Sequence, residues 1–561
     1  MAPLASAEEL GSEVVAAGMN PQGQAGVGFQ SGFPEEWPDT MAGLNHVSAL
    51  NHVKQVALGF QFGVAVLTNG SAVTWGENNR GTLGFGGPKE PCKSRTPEIE
   101  RTEFPTEILS HIKAVAAAGQ HAMALTEEGR VYTWGQTQLG ESGIGIPTAE
   151  EKNGSLFNKC NQPEWTPHLV GGVEHVIAIT AGRKDDYALL ESGKVYAWGE
   201  NNHGQTGPNV KEEPASCTEK APNPCLCREE SETFTGTNCD TTPTYVARGF
   251  LRPPNAIGIA AGEESAYALT SEHTLEAWGS NKFGQLGLNL NEPRLKTYYP
   301  FPIPVSLPKE ALEVVAGAEH VLARLQGNKV WGWGNAEDDD LLLPGTNCKS
   351  ENANKGESVK CVKTPEAITS LGTVSALGAG LNDSFAVEGG SLYGWGSDKW
   401  GQLGIGSVQE EQKFPAPVSG RYGGLGAVKG VATSPDENST TAVLLAEGVT
   451  APPLTVSIAA GSEGLSAKLT VTWRFTFPGL KEGAGNYKVR ACLGEAEEQG
   501  NCPELVETPA ETTAQIREYE EGKKVHVITV PNLAHNTKYR ISIKPVSGES
   551  PRDHSTFAWT E

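Results

Sequence analysis

Six short loops in this sequence carry the residue types from which a binding or catalytic surface is made. They hold Phe60, Gln61 and Phe62; Gln120 and His121; Arg183, Lys184 and Asp185; Glu263 and Glu264; Glu319 and His320; and Leu381, Asn382 and Asp383. Carboxylates and imidazoles are the groups for acid–base work, and exposed aromatics anchor protein interfaces. Phe60 and Phe62 are expected either to pack in the core or, if exposed, to serve as such anchors. The adjacent Glu263 and Glu264 do not make a facing carboxylate pair, because neighbours in a loop diverge. No Gly-x-Ser-x-Gly, His-Glu-x-x-His or phosphate-binding loop occurs, so no catalytic residue and no cofactor is assigned. The run Asp338-Asp339-Asp340 lacks the alternating oxygen ligands and glycine of a calcium loop. It reads as a solvated acidic turn, with no metal site expected.

The charge is −23, from 44 Lys and Arg against 67 Asp and Glu. Nucleic-acid binding needs a basic patch to neutralise phosphates, and no such run is present. Nucleic acid and anionic membranes are therefore excluded as expected partners, and the acid excess reads as a solubility device or as a field that favours a basic protein partner. No apolar stretch is long enough for membrane insertion as a helix. The start, MAPLASAEELGSEVV, lacks the basic and apolar regions of a signal peptide.

There are ten cysteines, all outside the core strands of the repeat described below. Loop cysteines read as staples formed in an oxidising compartment. Spacing favours Cys348 with Cys361 and Cys492 with Cys502. Cys217, Cys225, Cys227 and Cys239 could pair in three ways, and their spacing departs from that of structural zinc sites. Cys92 and Cys160 are left without an assigned pairing. An extracellular or cell-surface location is the resulting expectation, with any signal already removed. The sequons at Asn69, Asn153, Asn382 and Asn438 matter only in a eukaryotic secretory route.

The elements that position these loops repeat. Trp75, Trp134, Trp198, Trp278, Trp333 and Trp395 are each followed by Gly, at spacings of 59, 64, 80, 55 and 62 residues. A nearly fixed period marks a repeat architecture. Each unit has an apolar stretch ending in Ala-Gly, an alternating strand, a tight turn, a strand ending in Trp-Gly, and a later Pro-containing strand. Four antiparallel strands make one propeller blade. Residues 12–28 hold the second half of a unit and residues 428–448 the first half. A blade shared between the ends would hide edge strands, and six units plus this one give seven blades. The Ala-Gly pairs are expected near the axis and the indoles between blades.

Long insertions separate the third and fourth strands, over 86–103, 145–163, 205–243, 288–299 and 344–364. In a meander they emerge on the same face as the Ala-Gly loops, where loops on a rigid scaffold usually carry binding residues. Tyr299 borders one of them.

The Ala-Gly, x-x-His-x-x-Ala-Leu, Trp-Gly-x-Asn and Gly-Gln-Leu-Gly elements resemble the regulator of chromosome condensation repeat family, a seven-bladed propeller that includes secreted bacterial types. The fifth unit departs from it, with Asp338 to Leu343 replacing the Gly-Gln-Leu-Gly turn, which puts that blade's geometry in doubt. The family includes exchange factors for a small GTPase and secreted bacterial propellers, one of them a β-lactamase inhibitor. By this resemblance Phe60, Phe62, His121, Arg183, Asp185, Glu263, Glu264, His320, Asp383 and Tyr299 are candidate partner contacts. It also allows His121 and His320 to be framework residues.

Residues 1–450 are thus expected to form an all-β propeller. Residues 451–561 read as a β-sandwich, with Trp473, Leu533 and Tyr539 resembling the fibronectin type III pattern. The expected function is a non-enzymatic, monomeric, secreted or surface-exposed scaffold. It would bind another protein, or else a cell-surface glycan, through the insertion-rich face. A carbohydrate-active or lyase-type enzyme and a GTPase exchange-factor-like regulator are the alternatives.

Overall fold

The computed structural model describes residues 14–26, 41–47, 50, 52–86, 101–137, 139–144, 163–207, 239–246, 255–288, 298–349, 358–418, 428–433 and 440–445, together with seven strands between 455 and 559. Most of the insertions, and Cys92, Cys160, Cys217, Cys225, Cys227 and Cys502, lie outside the described residues. The chain divides into two compact units, Met1–Val449 and Thr450–Glu561.

The first unit is a ring of seven antiparallel sheets, here blades one to seven. Six run in chain order: 53–109, 112–169, 176–245, 256–305, 311–367 and 374–417. Blade five has an additional outer strand, Thr346–Lys349. The seventh joins Val428–Thr433 and Thr440–Leu445 to Val14–Gly18 and Met41–His46, with Val14 opposite Leu444 and Gly18 opposite Thr440. The first strand of each blade touches that of the next, from blade one through blade seven and back to one. First strands are therefore innermost.

The repeated residues have separable physical jobs. Asn20, Asn78, Asn201, Asn281 and Asp398 accept, through Oδ1, the backbone N–H five residues on. Gln24, Gln205, Gln285 and Gln402 accept from the N–H two residues earlier. The turn glycine takes positive φ, 73° at Gly204 and 80° at Gly284, which only glycine adopts without cost. Blade five makes the same turn without glycine. Asp339 and Leu342 take φ of 56° and 53°, and Leu342 N–H still reaches Asp339 O at 3.1 Å. The doubt about its geometry is thereby removed: buried Leu341 holds the turn at the strain cost of two left-handed L residues.

The six tryptophans are buried between blades, and each donates its indole N–H to a main-chain carbonyl of the preceding blade's turn. The partners are Gln24, Thr82, Glu141, Gln205, Gln285 and Asp340, at 2.7–3.1 Å. In blade seven, Ala17 occupies the Trp position.

In the second unit, Thr455–Ala459, Ala467–Trp473, Lys524–Leu533 and Gln515–Glu518 form one sheet in that order. Tyr487–Leu493, Lys538–Pro545 and His554–Trp559 form another. Tyr539 lies opposite Leu493 and Ala558.

The indole bonds are not equally replaceable. Tyr267 O–H also donates to Gln285 O, at 2.7 Å, beside Trp333. The carbonyl of Thr82 has no tyrosine of this kind. Trp134→Phe should cost about 1–3 kcal/mol for a buried acceptor left unsatisfied, and Trp333→Phe distinctly less. Thermal unfolding of the two variants checks the order, and equal losses would count against it.

Candidate functional site

Each Ala-Gly loop leads into a second strand whose first residue turns inward. Phe62, His121, Asp185, His320 and Asp383 all occupy this position and all are buried, from 0 to 1 % exposed. In four of these blades the loop glycine makes the room. A Cβ on Gly59, Gly182, Gly317 or Gly380 would overlap Phe62, Asp185, His320 or Asp383 respectively. These five candidates are therefore corrected: they are interblade framework and cannot touch a partner in this structure.

Their hydrogen bonds show what they do instead. His121 Nε2 is 3.0 Å from Asp186 Oδ1 in the next blade. His320 Nε2 lies 2.9 Å from Ser384 Oγ, whose hydroxyl donates to Asp340 O at 2.8 Å. With that proton committed, the N–H must be on His320 Nε2. Nδ1, 3.2 Å from Asp340 Oδ2, is then an acceptor. Burial lowers His320 to about 4 and raises Asp340 well above the carboxylate range. Burial thus pushes both groups toward their uncharged forms, and His320 Nδ1 makes no hydrogen bond among the described residues.

Asp338, meanwhile, accepts from Asn382 Nδ2 at 2.5 Å, and Asp339 is 3.7 Å from Lys413 Nζ. The three aspartates diverge, and Asp340 is buried rather than part of a solvated turn. Cys348 and Cys361, on paired strands of blade five, form a disulfide.

The remaining candidates reach the surface. Phe60 is half-buried, and its N–H donates to Gly119 O at 2.6 Å. Tyr299 is half-buried in the outer strand of blade four, opposite Gly279. Arg183 of blade three pairs with Glu263 of blade four. Glu264 accepts from Lys282 Nζ at 2.8 Å and lies 3.3 Å from His203 Nδ1. Lys184 sits 3.7 Å from Glu200, and Glu319 of blade five accepts from Asn335 Nδ2 at 3.0 Å.

Glu200, Glu263, Glu264 and Glu319 thus converge from three successive blades. Burial first, then the charges of Glu263 and Glu264, raises both Glu200 and Glu319, the latter to about 7. Reading the loops singly missed Glu200, His203 and Lys282. They follow the Trp-Gly motif, and aligning the repeats shows charge varying there beside invariant framework. The motif scan had no reason to select them.

Glu319 gives a pH test with a definite sign. Its folded value exceeds the ordinary 4.5, so folding favours the protonated acid and stability falls as pH rises from about 4.5 to about 7. Glu319→Gln keeps the acceptor and removes the charge. It should raise the melting temperature at pH 8 and leave it nearly unchanged at pH 4. Equal shifts at both values would rule out this origin.

Among the described residues no helix is long and apolar enough to cross a membrane. Models of the regulator of chromosome condensation (RCC1) repeat match residues 69–125, 276–324 and 389–434, and a second such model matches 53–82, 112–141 and 187–205. The chain is similar to the ultraviolet-B receptor UVR8 of Arabidopsis thaliana, 26 % identical over 59 % of this chain and 63 % of that protein. It is similar to protein pim1 of Schizosaccharomyces pombe, 28 % identical over 53 % of this chain and 51 % of that protein. The match therefore spans between half and two thirds of these relatives. In fold it is similar to Prp20p of Saccharomyces cerevisiae, with a TM-score of 0.59 and 20 % identity over 78 % of this chain and 92 % of that one. Human WBSCR16 gives 0.58 and 18 % identity, over 78 % of this chain and 100 % of that one. The first unit of this protein is a seven-bladed β-propeller, segments of which match models of the RCC1 repeat.

Proposed function

We propose that the propeller is a non-enzymatic, secreted or surface-exposed scaffold that binds a basic region of another protein through the face bearing the Ala-Gly loops and the insertions. The observation that carries this reading is the convergence of Glu200, Glu263, Glu264 and Glu319 from three blades. Burial and the charges of Glu263 and Glu264 raise Glu200 and Glu319; an incoming cation relieves that crowding, and a lysine or arginine of a partner supplies it. Arg183, Phe60 and Tyr299 lie among the same loops as further contacts. RCC1-repeat relatives support protein recognition, since Prp20p is described with binding properties to Gsp1p and histones. On this reading the sheet holding both ends closes the ring, and the second unit is a fibronectin type III-like sandwich acting as a spacer.

The exchange-factor-like alternative shares the protein-binding premise and is favoured only by that likeness to Prp20p.

Affinity capture from extracellular material, quantified by mass spectrometry, tests the proposal. Wild-type protein should enrich at least one basic protein, with retention falling as salt rises, and the Glu263→Lys/Glu264→Lys variant should lose it. Equal capture by both would remove this face as the site.

A further inference from the structure

The opposite end of the ring holds a feature that the insertions do not explain. Each innermost strand begins with a β-bulge, at the same place in all seven blades: between Val53 and Gln55, Ile112 and Ala114, Val176 and Ala178, Ala256 and Gly258, Ala311 and Glu313, Val374 and Ala376, and Val428 and Gly430. A bulge re-aims its extra residue. In every blade that residue is exposed, while the one before it is buried. Because these strands are innermost and the bulges lie at their starts, the seven positions form a ring around the axis at the end away from the Ala-Gly loops.

Their chemistry divides this mouth of the ring in two. Blades seven, one and two are consecutive in the ring and present Lys429, Lys54 and Lys113. Blades three, four and five present Ile177, Ile257 and Leu312, exposed by 40, 48 and 37 %. Ser375 of blade six separates the arcs on one side. Three exposed large aliphatics at one repeat position are more than the scattered apolar residues of an ordinary surface. Three lysines at that position are likewise unexpected in a chain of net charge −23. In the adjoining turns, Glu127 and Glu128 flank the lysine arc at blade two, while Glu191 and Glu272 flank the aliphatic arc.

We propose that this mouth is a second binding site, for an extended segment of a protein partner in which aliphatic and acidic residues alternate. Successive side chains of an extended strand point to opposite faces. Such a segment, entering the mouth, lays its aliphatic face on Ile177, Ile257 and Leu312 and its carboxylates toward Lys54, Lys113 and Lys429. Apolar burial supplies affinity, and the lysines set orientation and exclude basic segments. The site rests on the reading of the propeller as a protein binder, but it uses the other end of the ring.

Fluorescence anisotropy with three short labelled peptides tests it: alternating Leu/Glu, alternating Leu/Lys and alternating Ser/Glu. Wild-type protein should bind Leu/Glu saturably and at least tenfold more tightly than either control. Lys54→Glu/Lys113→Glu/Lys429→Glu should weaken Leu/Glu at least tenfold and gain Leu/Lys. Ile177→Ser/Ile257→Ser/Leu312→Ser should weaken Leu/Glu without gaining Leu/Lys. Should a triple variant not fold, Lys113→Glu and Ile257→Ser alone carry the same comparison. Glu263→Lys/Glu264→Lys, which addresses the other face, should leave peptide binding unchanged, so the two sites fail or succeed separately. Absence of saturable Leu/Glu binding, or binding unaffected by both sets of substitutions, would overturn the proposal.

Discussion

The interblade bond from a buried indole N–H to the carbonyl of the preceding turn is the constraint on which the propeller depends. It requires a tryptophan at the end of the third strand, a turn held in one geometry, and a carbonyl aimed across the interface. The Asn and Gln side chains and the positive-φ glycines serve that one carbonyl, which is why they recur together. Blade five shows the requirement most clearly. Its turn has lost glycine, yet Asp339 and Leu342 accept left-handed backbone so that Asp340 O can still receive Trp395 at 2.7 Å. Only blade seven, with Ala17, lacks the indole among the described residues, and there Val14–Gly18 pairs with Thr440–Leu445.

A frame held this way frees other positions to vary, and they vary at both ends of the ring. At the loop end, the first residue of the second strand in blades one, three, five and six is locked inside against its loop glycine, while the residues just before that position, such as Glu264 and Glu319, reach outward. At the far end the bulge does the opposite and pushes one side chain per blade into solvent. The same fold thus hides Asp185 and displays Ile257 by purely local backbone geometry. The acidic crowding at one end and the divided mouth at the other differ in chemistry because neither is under the framework's constraint.

Most of the frame was legible in the sequence. The Trp-Gly recurrence and the two half-units predicted seven sheets, because interblade bonding imposes one order of strands and turns on every repeat while the insertions vary its length. The candidate site was legible only in part. Phe62, His121, Asp185, His320 and Asp383 looked like loop residues because they stand two or three places after the loop glycine, and residue type does not say where a loop ends. The glycine itself was the signal, since it must make room for something. The bulged ring was also written in the sequence, as Lys or a large aliphatic at one aligned position. Bulges have no residue signature of their own, so the alternation pattern gave no reason to read that position as outward.

Recognition is proposed to occur at the loop end, where glutamates from blades three, four and five converge. Hydrogen–deuterium exchange of the protein with its captured basic partner tests it most directly. The account predicts new protection in the loops around Arg183, Glu263 and Glu319. Protection confined to the outer strands, with these three loops exchanging as in the free protein, would contradict it.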